Sequence, residues 1–171
     1  TYKMLGQSGQ EVQATSLVFA PNTPPPVGGW PIVVWAHGTT GVADACAPSK
    51  AALADSTKDL ISKLLTAGYV VVAPDYEGLG TSGIHPFLNV KSEAFSITDA
   101  VVATRNYLLQ RNLLTSKKWV TVGHSQGGHA ALGAAQYASR AQLDYKGTVA
   151  VAPASNLGFI LVAGEQSVAN A

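Results

Sequence analysis

Gly123-His124-Ser125-Gln126-Gly127 is the stretch that decides the fold of this 171-residue chain. It directly follows the apolar run 119–122, and small residues compatible with a helix continue after it to residue 135. This order predicts a strand, a sharp turn with serine at its tip, and a helix, which is the setting of a nucleophile elbow. In so tight a turn, a Cβ at Gly123 or Gly127 would collide with the neighbouring strand or helix. The pattern therefore predicts that Ser125 stands above the sheet as a nucleophile.

Apolar runs alternate with helical patterns along the rest of the chain. Runs such as Ile32-Val33-Val34-Trp35-Ala36 are continuous, as expected of strands buried on both faces. Strands are predicted over 10–20, 32–36, 69–73, 119–122 and 149–152, and helices over 49–66, 93–110 and 126–140. This alternation predicts an α/β fold, with a mostly parallel sheet and helices on both faces. Functional residues should then gather at the carboxyl ends of the strands.

Composition and charge exclude several classes of function. Apolar residues make up 47% of the chain and charged residues 12%, a low charged fraction that is common in small secreted enzymes. The net charge of +1 implies no nucleic acid or other polyanion as a partner. No apolar run reaches the roughly 18 residues of a membrane span, so no stable membrane insertion is expected. Thr1 does not open a basic and then apolar segment, so a signal peptide is expected to be absent or already removed.

A second motif, His37-Gly38-Thr39-Thr40-Gly41, follows the predicted strand 32–36. Acyl transfer to a serine creates a tetrahedral oxyanion, which needs preorganised N–H donors. The residue after the nucleophile supplies one donor, here the backbone N–H of Gln126 at the positive end of its helix. The second donor comes from the loop after an earlier strand. Thr39 is the predicted donor in that loop, and Thr40 is the alternative.

A serine nucleophile also needs a general base and an acid that orients it. None of the four histidines is well placed for this role. His124 neighbours Ser125 and should point away from it, and His129 should lie inside the following helix, packed against the sheet. His37 belongs to the predicted oxyanion turn. His85 lies in a glycine-rich loop and is the candidate substrate-binding residue.

The acidic residues likewise offer no well-placed acid to orient the base. Asp75 follows a strand end, where its carboxylate is expected to accept N–H bonds from the Gly78-Leu79-Gly80 loop in a structural role. Asp144 is the first acid after the serine, but it should lie at the opposite edge of the sheet. Glu165 stays open as a candidate.

The sequence ends one predicted strand after the elbow. That leaves a parallel edge strand and the apolar stretch 157–163 exposed. An exposed apolar edge is a liability unless another part of the protein covers it. We therefore expect residues 1–171 to form the N-terminal part of one larger domain. A second polypeptide is expected to carry the C-terminal half, with the missing Asp and His.

Four motifs together carry a resemblance to a known family. They are Ala36-His37-Gly38-Thr39-Thr40-Gly41, Cys46-Ala47-Pro48-Ser49, Ala73-Pro74-Asp75-Tyr76-Glu77-Gly78-Leu79-Gly80 and Gly123-His124-Ser125-Gln126-Gly127-Gly128. In this combination the chain resembles the secretory lipase (lipase A-like) family over residues 18–163. The resemblance implies the α/β-hydrolase fold.

The resemblance also implies a function and a set of site residues. It implies a secreted serine hydrolase that acts on acyl esters or lipids without a metal or an organic cofactor. Ser125 would be the nucleophile, and the oxyanion hole would lie at Thr39 or Thr40 with Gln126. A lid and the triad Asp and His would lie in a C-terminal half, so either a second chain supplies that half or residues 1–171 are inactive alone. Cys46 is the single cysteine of the chain, so it is either a free thiol or paired with a cysteine elsewhere. The resemblance implies a disulfide bond to that later part.

Two other functions stay open. A serine peptidase of the prolyl-oligopeptidase type shares the elbow, and it would prefer peptide anilides to aryl esters. A non-catalytic hydrolase-like binding module is favoured by the missing Asp and His, although the intact elbow and oxyanion turn weigh against it. Such a module would react poorly with a fluorophosphonate because its serine is not activated.

Overall fold

The central sheet has five strands in this computed structural model, which describes residues 1–159 and 162. A separate two-stranded hairpin is formed by β1 (Tyr2–Leu5) and β2 (Glu11–Ala14). The sheet comprises β3 (Ser16–Phe19), β4 (Trp30–Ala36), β5 (Val70–Pro74), β6 (Thr115–His124) and β7 (Asp144–Val151). The helices are α1 (Asp55–Thr66), α2 (Val90–Leu109) and α3 (Gln126–Gln136), and short 3₁₀ turns span Asp44–Cys46, Pro48–Lys50 and Ala138–Ala141.

The strands of the sheet lie in the order β3-β5-β4-β6-β7. β3 runs antiparallel to β5, and the other neighbours are parallel. The register pairs Trp35 with Val122, and Val122 in turn with Val149. The prediction of a mostly parallel sheet is therefore confirmed, and the carboxyl ends of β4 to β7 share one edge.

Helices cover both faces of the sheet, as predicted. On one face, Ile32, Val34 and Val72 join a buried core with Ala130 and Ala134 of α3. α2 lies on this face as well, since it packs against α3 and β1. On the other face α1 packs against β5. The crossover helices thus bury the continuous apolar strands from both sides.

The α1 face of the sheet is only partly covered within the described residues. Side chains alternate along β6 and β7, so Val122, Val149 and Val151 point to the same side as Trp35. Val149 and Val151 are 56% and 50% exposed, whereas residues of β5 are all buried. An apolar strip of the sheet therefore faces solvent beyond the reach of α1.

The structure differs from the sequence expectation mainly at element boundaries. The single strand predicted over 10–20 is two strands in different sheets, and they part at Thr15. The reason is a tertiary contact, because the Thr15 hydroxyl donates to Asp75 at 2.6 Å and the Asp75 N–H donates to the Thr15 carbonyl at 2.9 Å. The hairpin strand β1 was not predicted.

The helix predicted over 49–66 begins only at Asp55, after the 3₁₀ turn at Pro48–Lys50. The helix predicted over 126–140 ends at Gln136 and gives way to the 3₁₀ turn Ala138–Ala141. β6 and β7 both begin earlier than predicted, because Thr115 of β6 pairs with Trp30 of β4 and Asp144 of β7 pairs with Lys118 of β6. Propensity alone places the ends of strands poorly because pairing with a neighbouring strand decides them, and helix ends are likewise uncertain by one or two residues.

Candidate active site

Ser125 is the single residue between β6 and α3, and its backbone is strained. Its φ of 56° and ψ of −118° lie where residues with a Cβ are rarely found. Three backbone hydrogen bonds hold this conformation. The Ser125 N–H donates to the carbonyl of Val151 at 3.0 Å, and its carbonyl accepts from the N–H groups of His129 and Ala154 at 3.1 and 3.2 Å. Backbone strain held in place by its surroundings is common at functional sites.

The glycines on either side of Ser125 stand where no side chain fits. A Cβ on Gly123 would lie 2.0 Å from the carbonyl oxygen of Gly127. A Cβ on Gly127 would lie 1.8 Å from the carbonyl oxygen of Ala36. The steric reason expected for the two glycines is therefore confirmed. The elbow packs directly against both its own strand and β4.

The turn after β4 lies beside the elbow. A Cβ on Gly38 would stand 3.7 Å from the Cβ of Ser125, which is ordinary van der Waals contact. Thr39 and Thr40 follow and are exposed. The structure thus brings the predicted oxyanion turn, Ser125 and the first residue of α3 together at one edge of the sheet.

A cavity of about 710 Å³ opens beside this turn. Its lining includes Thr39, Thr40, His124, Cys46 and residues of α1. Its size is within the range of ligand pockets. Ser125 is not on its wall, so the cavity adjoins the elbow without including its serine.

His37 is bound to its own turn. Its Nδ1 lies 2.7 Å from the carbonyl oxygen of Gly38, and its ring stacks on Tyr76 with 4.4 Å between centroids. Burial lowers the pKa of His37, while the contact with Gly38 and the charge of Asp75 act in the opposite direction.

His124 is exposed beside Val151 on the open face of the sheet.

His85 is buried, and both of its ring nitrogens have partners. Nδ1 lies 2.8 Å from the carbonyl oxygen of Glu77, and Nε2 lies 3.2 Å from the side-chain amide nitrogen of Gln126. Its role in substrate binding stays a prediction.

His129 does not pack against the sheet as expected. Its Nδ1 lies 2.6 Å from Oε2 of Glu93 on α2, because position 129 of α3 faces that helix.

Glu93 and the side chain of Gln126 are the site features that the sequence analysis missed. Both are 1% exposed, and the Gln126 amide donates to Oε1 of Glu93 at 3.0 Å. An acid in the first turn of a helix is ordinarily explained by the helix dipole. The only sequence signal was the apolar surroundings of Glu93 in the pattern of α2.

Comparison with known families shows which family the chain belongs to, which the geometry of the site alone does not. A model of the secretory lipase family matches residues 46–169, which is more than half of the chain. This chain belongs to the secretory lipase family. Its fold is the α/β-hydrolase fold of the solved structures that it resembles. No match was found among curated proteins.

Two solved structures are representative. The rice cell wall degrading esterase LipA from Xanthomonas oryzae is 28% identical with a TM-score of 0.74, over 89% of this chain and 41% of that one. Candida antarctica lipase A in its closed state is 26% identical with a TM-score of 0.72, over 86% of this chain and 35% of that one. This secretory lipase chain therefore spans well under half the length of the structures it matches.

Asp75 is fully buried near the candidate site. Its carboxylate accepts the Ser49 N–H at 3.0 Å and the Thr15 hydroxyl at 2.6 Å. The expected N–H donors of the Gly78-Leu79-Gly80 loop are not its partners, because the carboxylate points towards Ser49 and the strand junction at Thr15. Asp75 thus joins three segments of the chain.

Asp144, the first acid after Ser125, lies far from the elbow. Asp144 begins β7 at the opposite edge of the sheet and forms an ion pair with Lys146 at 2.8 Å. Glu165 lies outside the described residues. Over residues 1–159 and 162 we find no cluster of His, Cys, Asp and Glu that would hold a metal ion. The helices of that same part are too short or too polar to cross a membrane.

Proposed function

We propose that this chain is the N-terminal part of a secreted serine ester hydrolase that acts through an acyl-enzyme at Ser125. The observation that carries the proposal is the strained backbone of Ser125 between two glycines that admit no Cβ. Such a turn exposes the serine hydroxyl above the carboxyl edge of the sheet. Family membership and the names of the matched esterase and lipase support the reaction class.

The chemistry follows from the arrangement of donors around the serine. Ser125 Oγ attacks the ester carbonyl and gives up its proton to a base, and the carbonyl oxygen becomes an oxyanion. The backbone N–H groups of Thr39 and Gln126 donate to that oxyanion, with Thr40 as the alternative to Thr39. The alcohol leaves with a proton, and water then releases the acid from the acyl-serine.

The triad Asp and His come, in this proposal, from a separate C-terminal segment that completes the domain begun by residues 1–171. His85 is bound to the carbonyl of Glu77, His129 is bound to Glu93, and His37 is bound to its own turn. The half-exposed Val149 and Val151 are an apolar surface that such a segment would bury. The matched structures are also more than twice as long as the matched part.

Cys46 is proposed to form a disulfide bond with that second polypeptide. It lies in the 3₁₀ turn after the oxyanion loop and lines the cavity at the open side of the site. A Cβ on Gly41 would lie 2.4 Å from its Sγ, so the thiol is held close to the turn. A secreted protein meets the oxidising conditions that such a bond requires.

The substrate is proposed to be an acyl ester or lipid, with no cofactor and no nucleic acid partner. Secretion is proposed from the family and from the low charged fraction of 12%. His85 is retained as a candidate substrate-binding residue, although its buried contacts favour a supporting role.

The decisive test is Ser125→Ala in the complete protein. We expect ester turnover to fall on the order of 10⁶-fold with the fold intact. Ser139→Ala is the matched control, since Ser139 is exposed in a 3₁₀ turn remote from the elbow. If Ser125→Ala kept more than a few per cent of the activity, the assignment would be wrong.

Two further measurements separate the competing functions. Preference for peptide anilides over aryl esters would favour the peptidase. Failure of the complete protein to react with a fluorophosphonate would favour a non-catalytic binding module.

A further inference from the structure

The side chain of Gln126 is fixed by two acceptors. Its amide nitrogen lies 3.0 Å from Oε1 of Glu93 and 3.2 Å from Nε2 of His85. A primary amide carries two N–H donors, so each acceptor receives one. The side chain is 1% exposed, which keeps water from competing for either bond.

The partners of His85 fix its tautomer. Nδ1 lies 2.8 Å from the carbonyl oxygen of Glu77, and a carbonyl can only accept. Nδ1 therefore carries the hydrogen and donates it, which leaves Nε2 as an acceptor for Gln126. The loop that contains His85 is thus joined to the first residue of α3 by two hydrogen bonds. Gln126 donates to His85, and His85 donates to the carbonyl of Glu77.

Glu93 reaches the first turn of α3 at two points. Oε1 accepts from Gln126, and Oε2 accepts from Nδ1 of His129 at 2.6 Å. Both carboxylate oxygens of Glu93 therefore bind α3, the helix that begins directly after Ser125. α2 and α3 also pack closely, since a Cβ on Gly133 would lie 2.6 Å from Cγ2 of Val90.

A buried carboxylate is costly unless it is paired, so the placement of Glu93 needs a reason. We propose that Glu93 is a positioning residue that holds the Gln126 backbone N–H in line with the oxyanion, with His85 as a second anchor. This inference rests on the proposed function. Gln126 is the first residue of α3, so a tilt of that turn would redirect its N–H. A donor must meet the oxyanion at about 2.7–3.1 Å to be effective.

The test compares Glu93→Ala and Glu93→Gln in the complete protein. Alanine removes both acceptors. Glutamine keeps an oxygen for Gln126 and offers an N–H to His129, whose ring can change tautomer to accept it. Tyr2→Phe is the matched control, because it removes a buried 2.9 Å hydrogen bond from the Tyr2 hydroxyl to the Ser96 carbonyl on the same helix without touching the elbow.

We expect Glu93→Ala to lower kcat about 10- to 100-fold, the scale of a small misplacement, with KM changed less than about twofold. The affinity for an alkylboronic acid, which forms a tetrahedral adduct with the serine, should fall by the same factor as kcat/KM. Glu93→Gln should recover most of both losses. Tyr2→Phe should lower stability and leave kcat unchanged.

Three results would overturn the inference. One is a kcat for Glu93→Ala equal to that of Tyr2→Phe. Another is a Glu93→Gln variant no better than Glu93→Ala, because positioning requires only the acceptor. The third is ester turnover that survives Ser125→Ala, which would overturn the proposed function first and this inference with it.

Discussion

The carbonyl oxygen of Ala36 lies where a side chain on Gly127 would have to go, since a Cβ there would stand 1.8 Å from it. The last residue of β4 thus touches the first turn of α3. This contact places the turn that follows Ala36 next to Ser125. The proposed oxyanion hole therefore depends on a backbone-to-backbone approach that only glycine permits.

Gly127→Ala should separate α3 from β4 and misplace the serine. We expect a loss of about 1–3 kcal/mol or more in the free energy of unfolding, together with most of the ester turnover. Urea unfolding and turnover of the complete protein measure the two effects. Gly158→Ala is the control, because a Cβ there meets nothing within 4 Å among the described residues. Unchanged stability and turnover in Gly127→Ala would contradict the close approach.

Asp75→Asn should affect stability rather than chemistry. The carboxylate accepts from Ser49 and Thr15, and an amide can replace it only partly. We expect the free energy of unfolding to fall by about 1–3 kcal/mol. The kcat of the folded enzyme should stay near that of the wild type. A variant that loses activity without losing stability would show that Asp75 takes part in catalysis.

His37 should make stability depend on pH. Burial lowers its pKa below the ordinary value of 6.5, so the unfolded chain binds the proton at a higher pH than the folded chain. The free energy of unfolding should therefore fall as the pH drops below about 6.5. His37→Phe keeps a ring against Tyr76 and removes this titration. Urea unfolding between about pH 7.5 and 5 should give a flatter profile for the variant, and equal slopes would refute the prediction.

Cys46 should show no free thiol in the complete protein. Thiol titration under denaturing conditions without reductant measures this directly, and prior reduction should reveal one thiol on this chain. Intact mass without reductant should report the two polypeptides linked together. A free Cys46 thiol before reduction would exclude the disulfide.

Val149→Asp should weaken the association with the C-terminal segment. Val149 is 56% exposed here, but the proposed segment would bury it, and an unpaired buried charge costs about 3–5 kcal/mol. Co-purification of the two segments measures the effect. Leu109→Asp is the control, since Leu109 is 60% exposed at the far end of α2. Equal retention of the segment by both variants would mean that the β7 face is not the interface.

Local patterns in the sequence were enough to predict the sheet, the elbow and the neighbourhood of the oxyanion turn. Continuous apolar runs such as 69–73 predict strands buried on both faces, and the glycines around Ser125 allow only a sharp turn. Parallel strands place their carboxyl ends at one edge, so the turn at Thr39 and the elbow had to meet. Each of these features depends on steric fit and burial that a short stretch of sequence encodes.

The contacts around the elbow were decided only by the tertiary structure. Glu93 meets Gln126 and His129 across 33 and 36 residues of chain, and His85 meets Gln126 across 41. No local pattern reveals that an acid in the first turn of α2 is buried rather than solvated. The break at Thr15 has the same origin, because Asp75, the residue directly after β5, holds it. Periodicity reports which face of an element is apolar, whereas the pairing of buried polar groups depends on how distant elements pack.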